Sequence, residues 1–330
     1  MNTKIILANR PTGAIEDSNF DIKTEELPEL KDGEVLIEIN AISLDPAMRG
    51  WMNEGTTYIK GVGIGEVMRA FSAGKVIKSS NSGYKEGDFV SGLLGAQQYC
   101  IHNGEGLMKL DVTNDNLTHH LGVLGMPGMT AYFGLLRKGE PKAGEVIYIS
   151  GAAGIVGSTV GQIAKIKGCT VIGSAGSNEK CKYLLEECGF DHAINYKTEN
   201  IDEKLKVYAP NGMDIFFDNV GGETLDIALA NLAQGARVVI CGAISQYNDM
   251  ANIRGPKNYM KIVTARGVMN GVIVFDYVKE WPMAVKEIAG WIEDGKMKPK
   301  EHIITGLKNF PSALKMLYTG DNFGKLILTV

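Results

Sequence analysis

The chain has 330 residues, enough for two domains with cores of their own. Its formal net charge is −4 and it has no basic tract, which argues against nucleic acid as the main partner. The five cysteines (Cys100, Cys169, Cys181, Cys188 and Cys241) are scattered without a C-x-x-C pair, as in a reduced, cytoplasmic protein and not a disulfide framework.

Residues 1–120 carry short apolar runs broken by turn residues, at Lys4–Leu7, Val35–Ile42, Gly74–Ile77, Phe89–Leu94 and Tyr99–Ile101. Val35, Ile37 and Ile39 alternate with Leu36, Glu38 and Asn40, as a half-buried strand requires. This part reads as a mostly β domain, and its start shows no secretory signal. Ala131–Leu136 looks helical. From Glu145 the pattern alternates. Strands are expected at Val146–Ser150, Thr170–Ser174, His192–Ile194, Ile215–Phe217 and Arg237–Gly242. Helices are expected at Ile155–Lys167, Asn178–Cys188, Ile201–Tyr208 and Gly222–Ala233. That order predicts a doubly wound parallel sheet. A long helix near Tyr277–Gly295 follows. Ile303–Gly306 and Lys325–Val330 then return to strand, which predicts one domain from 1–121 with 303–330 and another, inserted, from 122–302.

The most informative stretch is Val146–Gly168. A β-branched run, Val146–Ser150, leads into Gly151, Ala152, Ala153, Gly154, Ile155, Val156 and Gly157, and then into helical spacing of Val156, Val160, Ile163 and Ala164. Strand, glycine turn and helix is the context of a dinucleotide fingerprint. Gly154 lets backbone approach a pyrophosphate, Gly157 lets helix pack on strand, and the helix start faces the phosphates. No charge interrupts Glu145 to Lys165, but the glycines, Ser, Thr and Gln make it a poor membrane span. The second strand ends without the acid that would bond an NAD ribose. Ser174, Ser177 and Lys180 stand there instead, which suits the 2′-phosphate of NADP.

The series A-A-G-I-V-G, G-S-A-G-S-N-E-K, F-D-N-V-G-G, C-G-A-I-S and N-F-G-K resembles the zinc-independent medium-chain dehydrogenase/reductases. Within them it is similar to the group of leukotriene/prostaglandin, plant double-bond and curcumin reductases. Ser43–Gly50 (S-L-D-P-A-M-R-G) and Gly65–Met68 match too. Ala47 replaces a common aromatic, and Lys60-Gly61 a usual Pro-Pro. The resemblance implies an α/β protein: a GroES-like, mostly β catalytic domain plus a Rossmann NADP domain. It implies a homodimer with nucleotide sheets paired through Val263–Val274. Cofactor contacts would fall on Gly151 to Gly154, Lys180, Tyr196, Asn219, Cys241, Gly242, Ala243, Ile244, Ser245, Tyr247, Val272, Ile273, Val274 and Asn322.

Metal ligands are expected to be none. Asp45-Pro46 stands where a zinc enzyme has its Cys/His pair, and Cys100, His102, His119 and His120 form no ligand set. His119-His120 reads as a surface helix start. None of the twelve tyrosines begins Tyr-x-x-x-Lys. Hydride addition to the C=C of an enone or enal suits such a chain, because hydroxyl donors alone can stabilise the enolate. Tyr58, Tyr247 and Tyr259 are the candidate donors, and Met48, Trp51 and Met52 suggest an apolar substrate pocket. A quinone reductase is the alternative within the fold, and a non-catalytic NADPH-binding protein the alternative of another class.

Overall fold

The computed structural model describes residues 1–56, 58–111 and 114–330, with side chains at all but 114–116 of these. The chain divides into two units, Met1–Gly122 with Glu301–Val330, and Val123–Lys300. In chain order the first unit opens with β1 (Asn2–Leu7), β2 (Phe20–Glu25), β3 (Val35–Ser43), α1 (Ala47–Trp51), β4 (Ser72–Ser79), β5 (Phe89–Gly92), β6 (Tyr99–His102) and β7 (Met108–Leu110). The second unit follows with α2 (Met126–Phe133), β8 (Val146–Ile149), α3 (Ile155–Ile166), β9 (Thr170–Ala175), α4 (Asn178–Glu186), β10 (His192–Asn195) and α5 (Ile201–Tyr208). It continues through β11 (Met213–Asp218), α6 (Gly222–Ala230), β12 (Leu232–Ile240), α7 (Lys261–Ala265), β13 (Val268–Gly271) and α8 (Trp281–Glu293). The chain then returns to the first unit with β14 (Glu301–Thr305), α9 (Phe310–Thr319) and β15 (Lys325–Thr329).

In the first unit β1 and β2 form an antiparallel ribbon. A seven-stranded sheet has the order β14-β15-β3-β4-β5-β7, with β6 also on β3. Alternation along β3 buries Val35, Ile37 and Ile39, as the period of two demands. The last strand, β15, pairs antiparallel with the end of β3, Ile327 opposite Ser43. Beneath that pairing Lys325 is buried, its Nζ 2.9 Å from Asp45 Oδ1 and 2.8 Å from the Leu44 carbonyl. Met48, Trp51 and Met52 are buried in this unit's interior. His119 and His120 sit half-buried in a short 3-10 helix, Asn114–Leu121, and burial pushes the His120 imidazole down to about 4.

The second unit holds a six-stranded parallel sheet, order β10-β9-β8-β11-β12-β13. Its strands are continuous apolar runs because helices cover both faces. Tyr148, Ile172, Phe216 and Val238 are fully buried against Leu205 of α5 and Leu229 of α6. Strand order reverses between β8 and β11, which puts the crevice for a ligand outside their carboxyl ends.

Three elements differ from the sequence reading. Val263–Val274 is not one outer strand: α7 takes Val263, Arg266 ends it at φ +53°, and only Val268–Gly271 pairs, along β12. The helix from Tyr277 is broken. A 3-10 turn, Val274–Glu280, precedes α8, whose first turn takes Pro282 because no N–H is needed there. The helix from Gly222 stops at Ala230, and β12 starts at Leu232. Among the described residues no helix is long and apolar enough to cross a membrane.

Candidate cofactor and active site

The turn after β8 is built for close approach. Gly151 takes φ +59°, a left-handed conformation that side chains resist. A Cβ at Gly157 would lie 2.6 Å from the Gly151 carbonyl oxygen and 2.7 Å from Ala152 Cα, so only glycine lets α3 seat there. At Gly154 an added Cβ would meet nothing nearer than 3.4 Å, so that face opens outward. Ala152 and Ala153 turn inward, buried, and Ala152 N–H bonds the Ser174 carbonyl at 2.9 Å. No side chain caps the start of the 12-residue helix α3 at Ile155 and Val156, so its N–H groups and positive dipole end suit a pyrophosphate.

The next loop runs from β9 to α4, where the sequence reading put the ribose. Ser177 caps α4, its Oγ accepting the Lys180 N–H at 3.2 Å. Tyr196 is half exposed, with its hydroxyl 2.7 Å from where a Gly176 Cβ would stand. The phenol and Lys180 therefore flank one end of β9. Ser174 differs from expectation: its hydroxyl is buried and bonds Tyr148 Oη at 2.9 Å, inside the sheet.

At the end of β11, Asp218 is fully buried. Its Oδ1 accepts from Ser150 Oγ at 2.8 Å, Val220 N at 2.9 Å and Gly221 N at 3.0 Å. Its Oδ2 has no partner among the described residues. Burial raises the carboxyl above the usual aspartate range, and the three donors oppose that. Asn219 Nδ2 bonds the Ser150 carbonyl at 2.8 Å, so the turn after β8 and the turn after β11 are stitched together. Sequence reasoning missed Asp218. A charged residue closing the apolar run Ile215–Phe217 was the available signal.

The loop after β12 joins the same edge. Cys241 N and Gly242 N bond the Asp218 carbonyl, Ile244 N the Asn219 carbonyl, and Ser245 Oγ the Val220 carbonyl at 2.6 Å. Burial pushes the Cys241 thiol up to about 12. The Tyr247 hydroxyl accepts the Ala243 N–H at 3.2 Å, so it braces its own loop. Val272 and Val274 are buried just past β13, and Ile273 is partly exposed. The loops after β8, β11 and β12 thus meet at one edge of the sheet.

Tyr259 is exposed at the entry to α7, beside α6, where Asn258 is tied to Asp226 at 2.9 Å. Tyr58 and Asn322 belong to the other unit. Asn322 Nδ2 bonds the Gly324 carbonyl at 3.3 Å, just before β15. Tyr58 is half exposed, and its hydroxyl accepts from Trp51 Nε1 at 3.1 Å. Among the described residues no three His, Cys, Asp or Glu side chains converge as a metal site would need.

Comparison with known proteins fits this arrangement. Residues 3–110 match the family described as the N-terminal domain of oxidoreductase, and residues 156–290 match zinc-binding dehydrogenase. The chain is 38% identical to the NADPH-dependent curcumin reductase of Escherichia coli, over 100% of this chain and 97% of that one. It is 38% identical to the NADP(+)-dependent 2-alkenal reductase of Nicotiana tabacum, with the same coverage. The chain belongs to the zinc-independent medium-chain dehydrogenase/reductases. A solved member, CurA of Vibrio vulnificus in complex with NADPH, superposes with a TM-score of 0.94 at 40% identity, covering 99% of each chain. This medium-chain reductase is an NADP-dependent oxidoreductase of the curcumin, prostaglandin and alkenal reductase type.

Proposed function

We propose that the protein reduces the C=C bond of α,β-unsaturated ketones or aldehydes and leaves the carbonyl intact. The observation that carries this reading is a half-exposed phenol, Tyr58, fixed by a buried indole donor. The names of the relatives support it. The glycine turn, the start of α3, Lys180, Tyr196 and Asn219 would hold NADP(H), which supplies a hydride to the carbon β to the carbonyl. Negative charge then builds on the carbonyl oxygen as the enolate forms. A phenol from Tyr58 or Tyr259 donates to that oxygen and stabilises the charge. A proton reaches the α carbon from a tyrosine or from water, which balances the hydride and gives the saturated carbonyl compound. Tyr247 supports the cofactor loop and is the weaker candidate donor. The same reading makes the protein a cytoplasmic homodimer, with a small-molecule substrate and no nucleic acid or membrane partner.

The test is product analysis with NADPH and a panel of enals, enones, quinones and saturated ketones. A saturated ketone or aldehyde from an enone supports the reading, with Tyr58→Phe or Tyr259→Phe lowering turnover by about ten- to a thousandfold. An allylic alcohol as main product overturns it. Turnover of quinones alone selects the quinone reductase, and NADPH binding without any turnover selects a non-catalytic protein.

A further inference from the structure

The segment bearing Tyr58 is a tight ribbon. Gly61 N bonds the Gly55 carbonyl at 2.8 Å, Thr56 and Lys60 form an antiparallel bridge, and Val62 N returns to the Trp51 carbonyl at 2.7 Å. Tyr58 therefore lies near the tip, and the stem is rooted on the last residue of α1. Arg69 grips both parts: its guanidinium lies 5.8 Å from the centre of the Trp51 ring, and its Nη1 bonds the Lys60 carbonyl at 2.7 Å.

Trp51 is only 3% exposed while Tyr58 is 49% exposed. The indole is thus a fixed reference and the phenol the accessible group. Indole Nε1–H can only donate. A phenol oxygen that accepts it must turn its own hydrogen away from Trp51. We propose that Trp51 is a positioning residue that fixes the direction in which Tyr58 donates its proton, with Arg69 holding indole and ribbon in one geometry. This rests on Tyr58 being the donor in the reaction proposed above. Replacing the indole by a ring without N–H removes the donor that sets this direction, which lowers turnover without touching cofactor binding.

The experiment uses the full chain. Trp51→Phe keeps a buried ring under Arg69. It is expected to lower kcat on an enone by about three- to tenfold, the scale of one neutral hydrogen bond. The NADPH dissociation constant, read by fluorescence, should stay within about twofold. In the Tyr58→Phe background, adding Trp51→Phe should cost nothing further. A readout free of catalysis is the indole N–H signals of 15N-labelled tryptophan, of which this chain has three. Trp51→Phe removes one, and Tyr58→Phe should shift that same signal and leave the other two. An unmoved signal overturns the contact, even if Trp51→Phe fails to fold. Equal losses in both backgrounds overturn the positioning role. Full turnover by Tyr58→Phe with a shifted signal defeats the donor reading of Tyr58 itself, and this inference with it.

Discussion

We propose that coenzyme choice turns on Lys180. It stands one turn into α4, past a strand end that lacks an acid, with Tyr196 beside the same loop. A charge-assisted bond to a 2′-phosphate is worth at least a decade in affinity. NADPH should therefore bind at least about tenfold tighter than NADH, and Lys180→Ala should erase most of that gap in a fluorescence titration. Equal affinities in the unaltered protein would refute this. The place of Lys180 near the start of α4 could be read from the sequence, because the strand before it and the Ser177 cap set where that helix begins. The direction of Ser174 could not. A strand buried on both faces shows no polar alternation, so nothing in the sequence says which way its hydroxyl turns. The bond from Trp51 to Tyr58 was hidden for another reason: it closes only when the intervening loop folds back.

The packing of α3 on β8 depends on a missing atom. Gly157→Ala would press a methyl group into backbone on two sides, and backbone cannot move aside like a flexible side chain. The helix must lift, at a cost of about 1–3 kcal/mol. Its N–H groups would move from the phosphates with it. The expected outcome is a lower Tm and weaker NADPH binding together; an unchanged Tm with normal binding would show that the helix had not moved. A second joint is electrostatic. Arg237 of β12 reaches Glu145, just before β8, with Nη2 to Oε2 at 2.5 Å and Nη1 to Oε1 at 2.9 Å, and it also bonds the Gly139 carbonyl at 2.8 Å. Burial raises the Glu145 carboxyl, but Arg237 and the Lys142 N–H outweigh it, and the group lies below its usual 4.5. The stabilisation is present above pH 4.5 and is lost as pH falls through the lowered folded value. Arg237→Met should cost about 1–3 kcal/mol at neutral pH, and the gap should close in acid denaturation curves. A gap of constant size would contradict the pairing. Long alternating elements around these joints were legible in the sequence. The apolar run after Val263 was not, because a short apolar stretch has no period that separates helix from strand.

In the molecule as a whole, the nucleotide sheet ends at β13. Among the described residues β13 pairs with β12 on one side only. Val263, Val268 and Met269 are exposed around it. A bare edge beside apolar side chains invites pairing with another chain. A second copy meeting it about a twofold axis would cover both. Light scattering should find a dimer at micromolar concentration, and Val268→Lys should shift it toward monomer. A monomer at every concentration would refute the assembly. The alternation from Glu145 onward showed the parallel sheet in the sequence, because each βαβ step carries its own pattern. The pairing of β15 with β3 was less visible, since it joins segments almost 300 residues apart in the chain.

That pairing sets an order of events during synthesis. The nucleotide unit is one unbroken stretch and can close as soon as it leaves the ribosome. The other unit waits for its final strand. At ordinary elongation rates, roughly ten to forty seconds separate the emergence of residue 122 from that of residue 300. Through that interval the end of β3, Ala41–Ser43, stays an open edge, and the Asp45 carboxylate stands without the ammonium of Lys325. An unpaired strand end is a template for mispairing, and this one is open until β15 arrives.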